Sequence, residues 1–146
     1  MNALSDVDYM QTAWLLARSA IAIDEVPVGA VLVHENKIIA KAHNQTNQLN
    51  DCTAHAEMLV ITAAQSYLNS RRLHDCTLYV TLEPCPMCAA ALHWCQLGKL
   101  VYAASDTKRG FTLFQPTLLH PKTIIIKGIM SAPCGALLSD YFKSKR

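Results

Sequence analysis

Residues 77–104 read TLYVTLEPCPMCAAALHWCQLGKLVYAA, and this stretch decides the fold. Residues 77–82 form a short apolar strand, residues 86–97 have the pattern of a helix, and residues 99–104 form a second apolar strand. Pro86 suits the first turn of that helix and Gly98 suits its end. Because strands joined through a helix favour parallel pairing, the stretch predicts a β-α-β unit of an α/β fold.

The segments on either side extend this unit in both directions. An amphipathic helix over residues 5–23 is predicted from apolar residues at helical spacing, Val7, Met10, Trp14, Ala17 and Ile21. A tight turn at Glu35-Asn36 joins predicted strands over residues 28–34 and 37–43 into a hairpin. The remaining predicted elements are a helix over residues 53–68, a strand over 123–127 and a last helix marked by Cys134, Leu137, Leu138 and Tyr141. This order predicts a three-layer α/β fold, in which helices cover both faces of a mixed five-stranded sheet.

The composition indicates a single folded domain. The chain has 146 residues, of which 51% are hydrophobic and only 16% are charged, so it can bury a core and is not intrinsically disordered. No apolar run reaches the length of a membrane helix, and the N-terminal residues, with Asp6 and Asp8, do not resemble a signal peptide. We therefore expect one domain over residues 1–146 that acts in the cytoplasm without a membrane partner.

Two short motifs place metal-ligand side chains at the starts of two predicted helices: residues 53–57, TAHAE, and residues 83–88, EPCPMC. In open α/β sheets, sites gather where strands end and helices begin, so the two motifs can face each other. Zinc prefers thiolate and imidazole ligands, and a helix N-terminus stabilises thiolates. We therefore predict a zinc site formed by His55, Cys85 and Cys88.

Three protein ligands predict a catalytic zinc ion, because a structural zinc ion usually has four. The fourth position is then open to a water molecule, whose pKa zinc lowers to about 7. The sequence leaves Cys52 open as a fourth ligand. Otherwise the cysteines outside the motif are expected to be buried as small apolar residues, namely Cys52, Cys76, Cys95 and Cys134.

Glu57 is the predicted proton carrier. It lies two residues after His55, and side chains at i and i+2 of a helix diverge, so Glu57 is poorly placed as a further ligand. A carboxylate that reaches past the metal can take a proton from the water and pass it to a ring nitrogen or a leaving amine, as hydrolytic deamination requires. Two alternatives remain open, a thioredoxin-like redox pair at Cys85 and Cys88, and a purely structural zinc site.

The His-x-Glu and Pro-Cys-x-x-Cys motifs resemble the zinc signature of the cytidine deaminase superfamily. Four blocks are in addition similar to the bacterial tRNA-specific adenosine deaminases, namely residues 25–31 (EVPVGAV), 53–58 (TAHAEM), 77–85 (TLYVTLEPC) and 137–142 (LLSDYF). This similarity extends from about Val7 to the end of the chain. It implies a cytidine deaminase-like fold, one zinc ion per subunit, a homodimer, and conversion of the wobble adenosine of a tRNA anticodon loop to inosine with release of ammonia.

The resemblance also implies which residues bind the substrate. Asn44 would contact the base, while Val28 and the Ala56 backbone shape the pocket. Further substrate-binding residues implied by position are Pro84, Asp106, Lys108, Arg109 and Phe142. From the residues alone, Asn44 is more typical of a loop residue that bonds its own backbone, and Tyr141 of a residue packed in the core.

Pro86 and the distribution of charge keep other functions open. Pro86 stands where the tRNA enzymes more often have Val or Ile, and Pro-Cys-Pro-Met-Cys resembles the deaminases of free guanine or cytosine. Residues 1–70 contain three basic and seven acidic side chains, whereas residues 71–146 contain ten and four. This basic half favours an anionic partner such as RNA over a free base. A zinc-stabilised RNA-binding module without activity is the third hypothesis, and the presence of Glu57 argues against it.

Overall fold

The computed structural model describes residues 4–114 and 116–146. The helices and strands of that part of the chain are, in order, α1 (Asp6–Ile21), β1 (Gly29–His34), β2 (Lys37–His43), α2 (Ala56–Leu68), β3 (Cys76–Leu82), α3 (Pro86–Trp94), β4 (Lys99–Ala104), β5 (Ile124–Lys127) and α4 (Ser131–Ser144). The segment between β4 and β5 contains one 3-10 turn, Phe111–Leu113. None of the helices in the described ranges has the length and apolar character needed to cross a membrane.

The five strands form one mixed sheet in the order β2-β1-β3-β4-β5. β1 is antiparallel to both of its neighbours, whereas β3, β4 and β5 are parallel to one another. The parallel pairing of β3 with β4 confirms the β-α-β unit predicted from residues 77–104. The predicted hairpin is also present, and its turn residues Glu35 and Asn36 both have positive φ angles, of 51° and 61°. Such angles are typical of the tight turns that match the twist of two paired strands.

Helices cover both faces of the sheet and complete the predicted three layers. α1 and α4 pack on one face, and α2 and α3 pack on the other. The side chains of β1 alternate between them: Val31 and Val33 point towards α1, while Ala30 and Leu32 point towards α2. Because both faces are covered, both sets of side chains are apolar and buried.

α1 buries Met10 and Ala17 as predicted, but the rest of its buried stripe differs from the prediction. Its buried residues are Tyr9, Met10, Ala13, Ala17 and Ala20, whereas Val7 and Ile21 are exposed. The reason is the close approach of α1 to β1, since a Cβ atom at Gly29 would collide with the backbone of Ala13 and Ala17. Small side chains on α1 permit this contact. The helix begins at Asp6 because Ser5 and Asp8 form a capping box.

Two helix boundaries differ from the predictions, and both differences have local causes. α2 begins at Ala56 rather than Thr53, because the Asp51 carboxylate accepts hydrogen bonds from the backbone N–H and hydroxyl of Thr53 and holds that segment in a turn. α3 ends at Trp94 rather than Leu97, since Gln96 has a left-handed φ of 56°. The effect at α2 matters most, because it makes His55 the residue that precedes the helix.

The direction of the strands brings several chain segments to one edge of the sheet. β2 and β3 are both antiparallel to β1, and β4 is parallel to β3, so the carboxyl ends of β2, β3 and β4 lie at the same edge. β1 begins at this edge, and α2 and α3 also start there. The edge where strands end and helices begin is the usual position of a functional site in an α/β sheet.

Candidate active site

His55 and Cys85 are the N-cap residues of α2 and α3, and Cys88 lies in the first turn of α3. Both N-cap residues have extended backbone angles, which turn their side chains away from the helix axes. Pro86 occupies the first turn of α3, where its missing N–H is not needed. The partial positive charge at the N-terminus of α3 favours thiolate forms of the two cysteines.

The three predicted metal ligands meet in space. The Nδ1 atom of His55 lies 3.6 Å from the Sγ atom of Cys85 and 3.5 Å from that of Cys88. A tetrahedral zinc ion with Zn–S bonds of about 2.3 Å and Zn–N bonds of about 2.0–2.1 Å requires nitrogen and sulfur about 3.6 Å apart. The side chains therefore fit zinc without rearrangement.

No fourth protein ligand joins this group within the described residues, where His55, Cys85 and Cys88 form the one cluster able to hold a metal ion. Cys52 is exposed and lies outside that cluster. The prediction that Cys52 is a buried apolar residue was therefore wrong, because it lies in the polar loop before α2. Burial was correctly predicted for Cys76, Cys95 and Cys134.

Hydrogen bonds within the triad prepare Cys85 to bind metal. The hydrogen bond with Cys88 lowers the pKa of Cys85 to about 4, and the hydrogen bond with His55 acts in the same direction. The interaction with Cys85 in turn raises the pKa of Cys88 and that of His55. Cys85 is therefore a thiolate at neutral pH, which is the form that coordinates zinc.

Glu57 lies in the first turn of α2, beside the three ligands. Its side chain is only 4% exposed. Burial raises the pKa of Glu57 to about 7, and the nearby Cys85 thiolate acts in the same direction. A carboxyl group whose pKa lies near neutrality can both accept and release a proton at physiological pH.

A pocket of about 670 Å³ opens over His55, Cys85 and Glu57, whereas Cys88 is fully buried and does not line it. Its volume is typical of a small-molecule or nucleoside site. Of the residues predicted to bind substrate or metal or to carry protons, those that line the pocket are Val28, Asn44, His55, Glu57, Cys85, Asp106, Lys108, Arg109 and Phe142. These residues come from six separate segments of the chain, which the common sheet edge and α4 bring together.

Asn44 is fixed by a hydrogen bond between two of these segments. It is 8% exposed, and its Oδ1 atom accepts the Ala56 N–H at 2.8 Å. The bond therefore does not close a local loop turn, as the sequence alone had allowed, but caps the start of α2. Since its oxygen is engaged, the amide nitrogen of Asn44 is the group left to meet a ligand.

Ala56 and Pro84 lie behind the pocket wall rather than in it. Ala56 is fully buried, and its N–H is already bonded to Asn44. Pro84 is buried, and its carbonyl oxygen accepts the Phe111 N–H at 3.0 Å. The structure therefore gives these two residues a supporting position and does not bring them to the pocket surface.

Comparison with known proteins agrees with this geometry. The family described as the cytidine and deoxycytidylate deaminase zinc-binding region matches residues 4–104. The tRNA-specific adenosine deaminase of Agrobacterium fabrum is 41% identical over 143 residues, which cover 94% of each chain. The chain belongs to the tRNA-specific adenosine deaminases of this family. Zinc is therefore the metal of this deaminase, and the triad is the group of described residues that could hold it.

Two solved structures are similar to this deaminase in both fold and sequence. One, from work on A-to-I editing by tRNA:A34 deaminases at the wobble position of transfer RNA, has a TM-score of 0.84 and 42% identity, and the match covers 90% of this deaminase and 99% of that chain. The other is a guanine deaminase from Bacillus subtilis, with a TM-score of 0.69 and 38% identity over 71% of this deaminase and 67% of that chain. Both confirm the predicted cytidine deaminase-like fold.

Several pocket residues of this deaminase were not predicted from the sequence: Val26, Thr46, Leu82, Glu83, Leu138 and Arg146. Glu83 is the most informative of them, because it is a carboxylate that is only 3% exposed. It accepts the Asp106 N–H at 3.1 Å, and the N–H and hydroxyl of Thr112 at 3.0 and 2.8 Å. A Cβ atom at Gly110 would collide with this carboxylate. A charged residue between an apolar strand and a proline was the one signal of this role in the sequence.

The loop after β4 carries the basic charge of the pocket on a folded turn. The Oδ1 atom of Asp106 accepts the backbone N–H groups of Lys108 and Arg109, each at 3.0 Å. Together with the bonds to Glu83, this holds the two basic side chains at the pocket wall. Lys108 and Arg109 therefore lie on an ordered loop at the pocket and not on a solvated, unstructured one.

Proposed function

We propose that this deaminase converts the wobble adenosine of a tRNA anticodon loop to inosine and releases ammonia. The observation that carries the proposal is a pocket lined by His55, Cys85 and Glu57 and also by the basic side chains Lys108, Arg109 and Arg146. Deamination of a free base requires the metal ligands and Glu57 but not the positive charge of the pocket. An RNA substrate carries phosphates, which basic side chains bind. The similarity to tRNA-specific adenosine deaminases along nearly the whole chain supports the same substrate.

In the proposed reaction, water adds to C6 of the adenine ring and the exocyclic amine leaves. His55, Cys85 and Cys88 would hold the zinc ion, which would lower the pKa of the attacking water to about 7. Glu57 takes a proton from the attacking water and passes it to the ring nitrogen next to C6. It then takes the second proton and delivers it to the amine, which departs as ammonia. Water and adenosine are thus converted to inosine and ammonia with no proton left over.

The remaining pocket residues hold the nucleotide in this proposal. Asn44 presents its amide nitrogen to an acceptor on the base, because its oxygen is held by Ala56. Val28 packs against the base, and the ring of Phe142, which is 46% exposed, stacks on a neighbouring base. Lys108, with Arg109 beside it, binds the phosphates next to the target.

An enzyme acting on tRNA is expected in the cytoplasm.

The runner-up is a deaminase of a free base. Pro86 and the similarity to a guanine deaminase of Bacillus subtilis favour it. The purified zinc-loaded protein should be incubated in parallel with an anticodon stem-loop that carries adenosine at the wobble position, with free guanine and with free cytosine. We expect inosine in the stem-loop and no ammonia from either base. Deamination of guanine without deamination of the stem-loop would contradict the proposal.

The same assay also tests the third hypothesis, a zinc-stabilised RNA-binding module. Such a module would bind the stem-loop in a salt-dependent manner and release no ammonia. A stem-loop with guanosine at the wobble position is the matched control for the substrate, because it keeps the fold and charge of the RNA. We expect binding to both stem-loops but inosine from only one.

We further propose that the protein is a homodimer, in which the end of α3 is part of the contact. Trp94 is 83% exposed there, and Leu113 and Phe114 expose 53% and 46% of their surface. Aromatic residues are enriched in protein interfaces, where burial of a large ring stabilises association. The described residues give Trp94 no other role.

Trp94→Glu is expected to convert the dimer into a monomer. A carboxylate would have to be desolvated in an apolar contact, which costs more than the lost ring contributes. Multi-angle light scattering after gel filtration measures the mass of each species. Tyr67→Glu is the matched control, because Tyr67 is also exposed, at 58%, but lies near the end of α2. A Trp94→Glu protein that keeps the dimer mass would contradict this contact.

A further inference from the structure

Glu25 is a buried carboxylate that the reaction does not use. Its exposure is 0%, and no ion pair includes it among residues 4–114 and 116–146. Instead it accepts hydrogen bonds from the loop after β2. One carboxylate oxygen, Oε1, accepts the Asn47 N–H at 3.1 Å and the Thr46 hydroxyl at 3.4 Å, and Oε2 accepts the Gln48 N–H at 2.6 Å.

The preceding residue, Asp24, connects the same turn to α4. Asp24 has a left-handed φ of 58°. Its Oδ1 atom accepts the Tyr141 hydroxyl at 3.0 Å and forms an ion pair with Lys145. Its carbonyl oxygen accepts the side-chain amide of Asn47 at 3.0 Å. The Asp24–Glu25 turn therefore binds the loop after β2 on one side and α4 on the other.

These two connected segments form two parts of the pocket wall. The loop after β2 contributes Asn44 and Thr46, and α4 contributes Phe142 and Arg146. We propose that Glu25 is a positioning residue that sets the distance between these walls and so the fit of the nucleotides beside the target base. This inference rests on the proposed function, because only an RNA substrate has nucleotides on both sides of the reacting base.

The chemistry of the three donors explains why a carboxylate is needed. Each oxygen of Glu25 accepts a hydrogen bond from a backbone N–H group, so the groups that surround the carboxylate are hydrogen-bond donors. In Glu25→Gln the side-chain NH₂ group must face one of these N–H groups, which leaves a buried donor without an acceptor. The variant keeps the volume of the side chain and removes one acceptor, and the loop should move away from the turn.

Glu25→Gln is expected to raise KM for the stem-loop about tenfold, a loss consistent with one unsatisfied buried donor, while kcat and zinc content stay close to those of the wild type. The reason is that Glu57 and the metal ligands are held by α2 and α3 and not by the turn. A change in KM with kcat retained indicates lost binding rather than lost chemistry. Initial rates over a range of stem-loop concentrations, with elemental analysis of zinc, give these quantities.

Asp8→Ala is the matched control for a general loss of stability. It removes the capping box of α1, and Asp8 does not line the pocket. KM should stay unchanged in this variant when both proteins are assayed well below their Tm. An unchanged KM in Glu25→Gln, or an equal rise in Asp8→Ala, would overturn the inference.

A second variant covers the case in which Glu25→Gln does not fold. Tyr141→Phe removes only the hydroxyl that donates to Asp24 and leaves the buried ring in place. We expect a smaller rise in KM, about threefold, which corresponds to the loss of one hydrogen bond. An unchanged KM in this variant would overturn the link to α4. Wild-type protein that is inactive on the stem-loop would instead overturn the proposed function, and this inference with it.

Discussion

Glu57→Ala is expected to lower kcat on the stem-loop by about a hundred- to ten-thousand-fold, the usual contribution of a positioned general acid and base. The carboxylate is only 4% exposed and lies beside the metal triad, where it can reach the attacking water. The zinc content should stay at one ion per chain, because Glu57 is not a ligand. Ammonia release under saturating substrate and elemental analysis of the same sample measure the two quantities.

Two further variants separate the role of Glu57 as a proton carrier from an effect of its volume. Glu57→Gln keeps the shape of the side chain but cannot accept the proton from water, so it should be nearly as inactive as the alanine variant. Glu35→Gln changes an exposed carboxylate in the β1–β2 turn and should keep full activity. Activity close to that of the wild type in Glu57→Gln would show that the carboxylate does not move the protons.

Cys88→Ala is expected to abolish zinc binding. Two ligands remain, and the affinity of a metal site depends on the full donor set. The free energy of unfolding should fall as well, because a ligand that binds only the folded state at a thousand times its Kd contributes about 4 kcal/mol. Elemental analysis and thermal unfolding with and without added zinc report these effects.

Cys134→Ala is the matched control. Cys134 is as buried as Cys88, but it lies on α4, which packs on the other face of the sheet from α3. It should keep one zinc ion and lose roughly 1 kcal/mol, the typical cost of a single core substitution. Zinc should raise the Tm of the wild type and of Cys134→Ala but not that of Cys88→Ala. Full zinc content in Cys88→Ala would refute the assignment of this ligand.

The metal triad and Glu57 could be located from the sequence because their geometry is local. His55 and Cys85 each precede a helix, and Glu57 and Cys88 each lie in the first turn that follows. Once two helices begin at the same sheet edge, these spacings bring all four side chains together. The apolar strands and the helical periodicity predict that edge, since they determine the β-α-β order.

Side chains whose neighbours are distant in the chain were predicted less well. Val7 and Ile21 fit the helical spacing, but the close contact of α1 with Gly29 selects the alanine face instead. Cys52 was predicted to be buried because free cysteines usually are, but it is exposed in the loop before α2. The spacing of apolar residues along a helix indicates that one face is apolar, but the element that packs against the helix decides which face is buried.

The sequence by itself determined the three-layer α/β fold and the meeting of His55, Cys85 and Cys88 beside Glu57, because hydrophobic periodicity and helix-start motifs act over a few residues. Only the tertiary structure decided the pocket walls and the residues that support them. Glu25 accepts from Asn47 and Gln48, and Glu83 accepts from Asp106 and Thr112, all more than twenty residues away. A buried carboxylate is stable only where backbone donors converge on it, and that convergence exists only after the chain has folded.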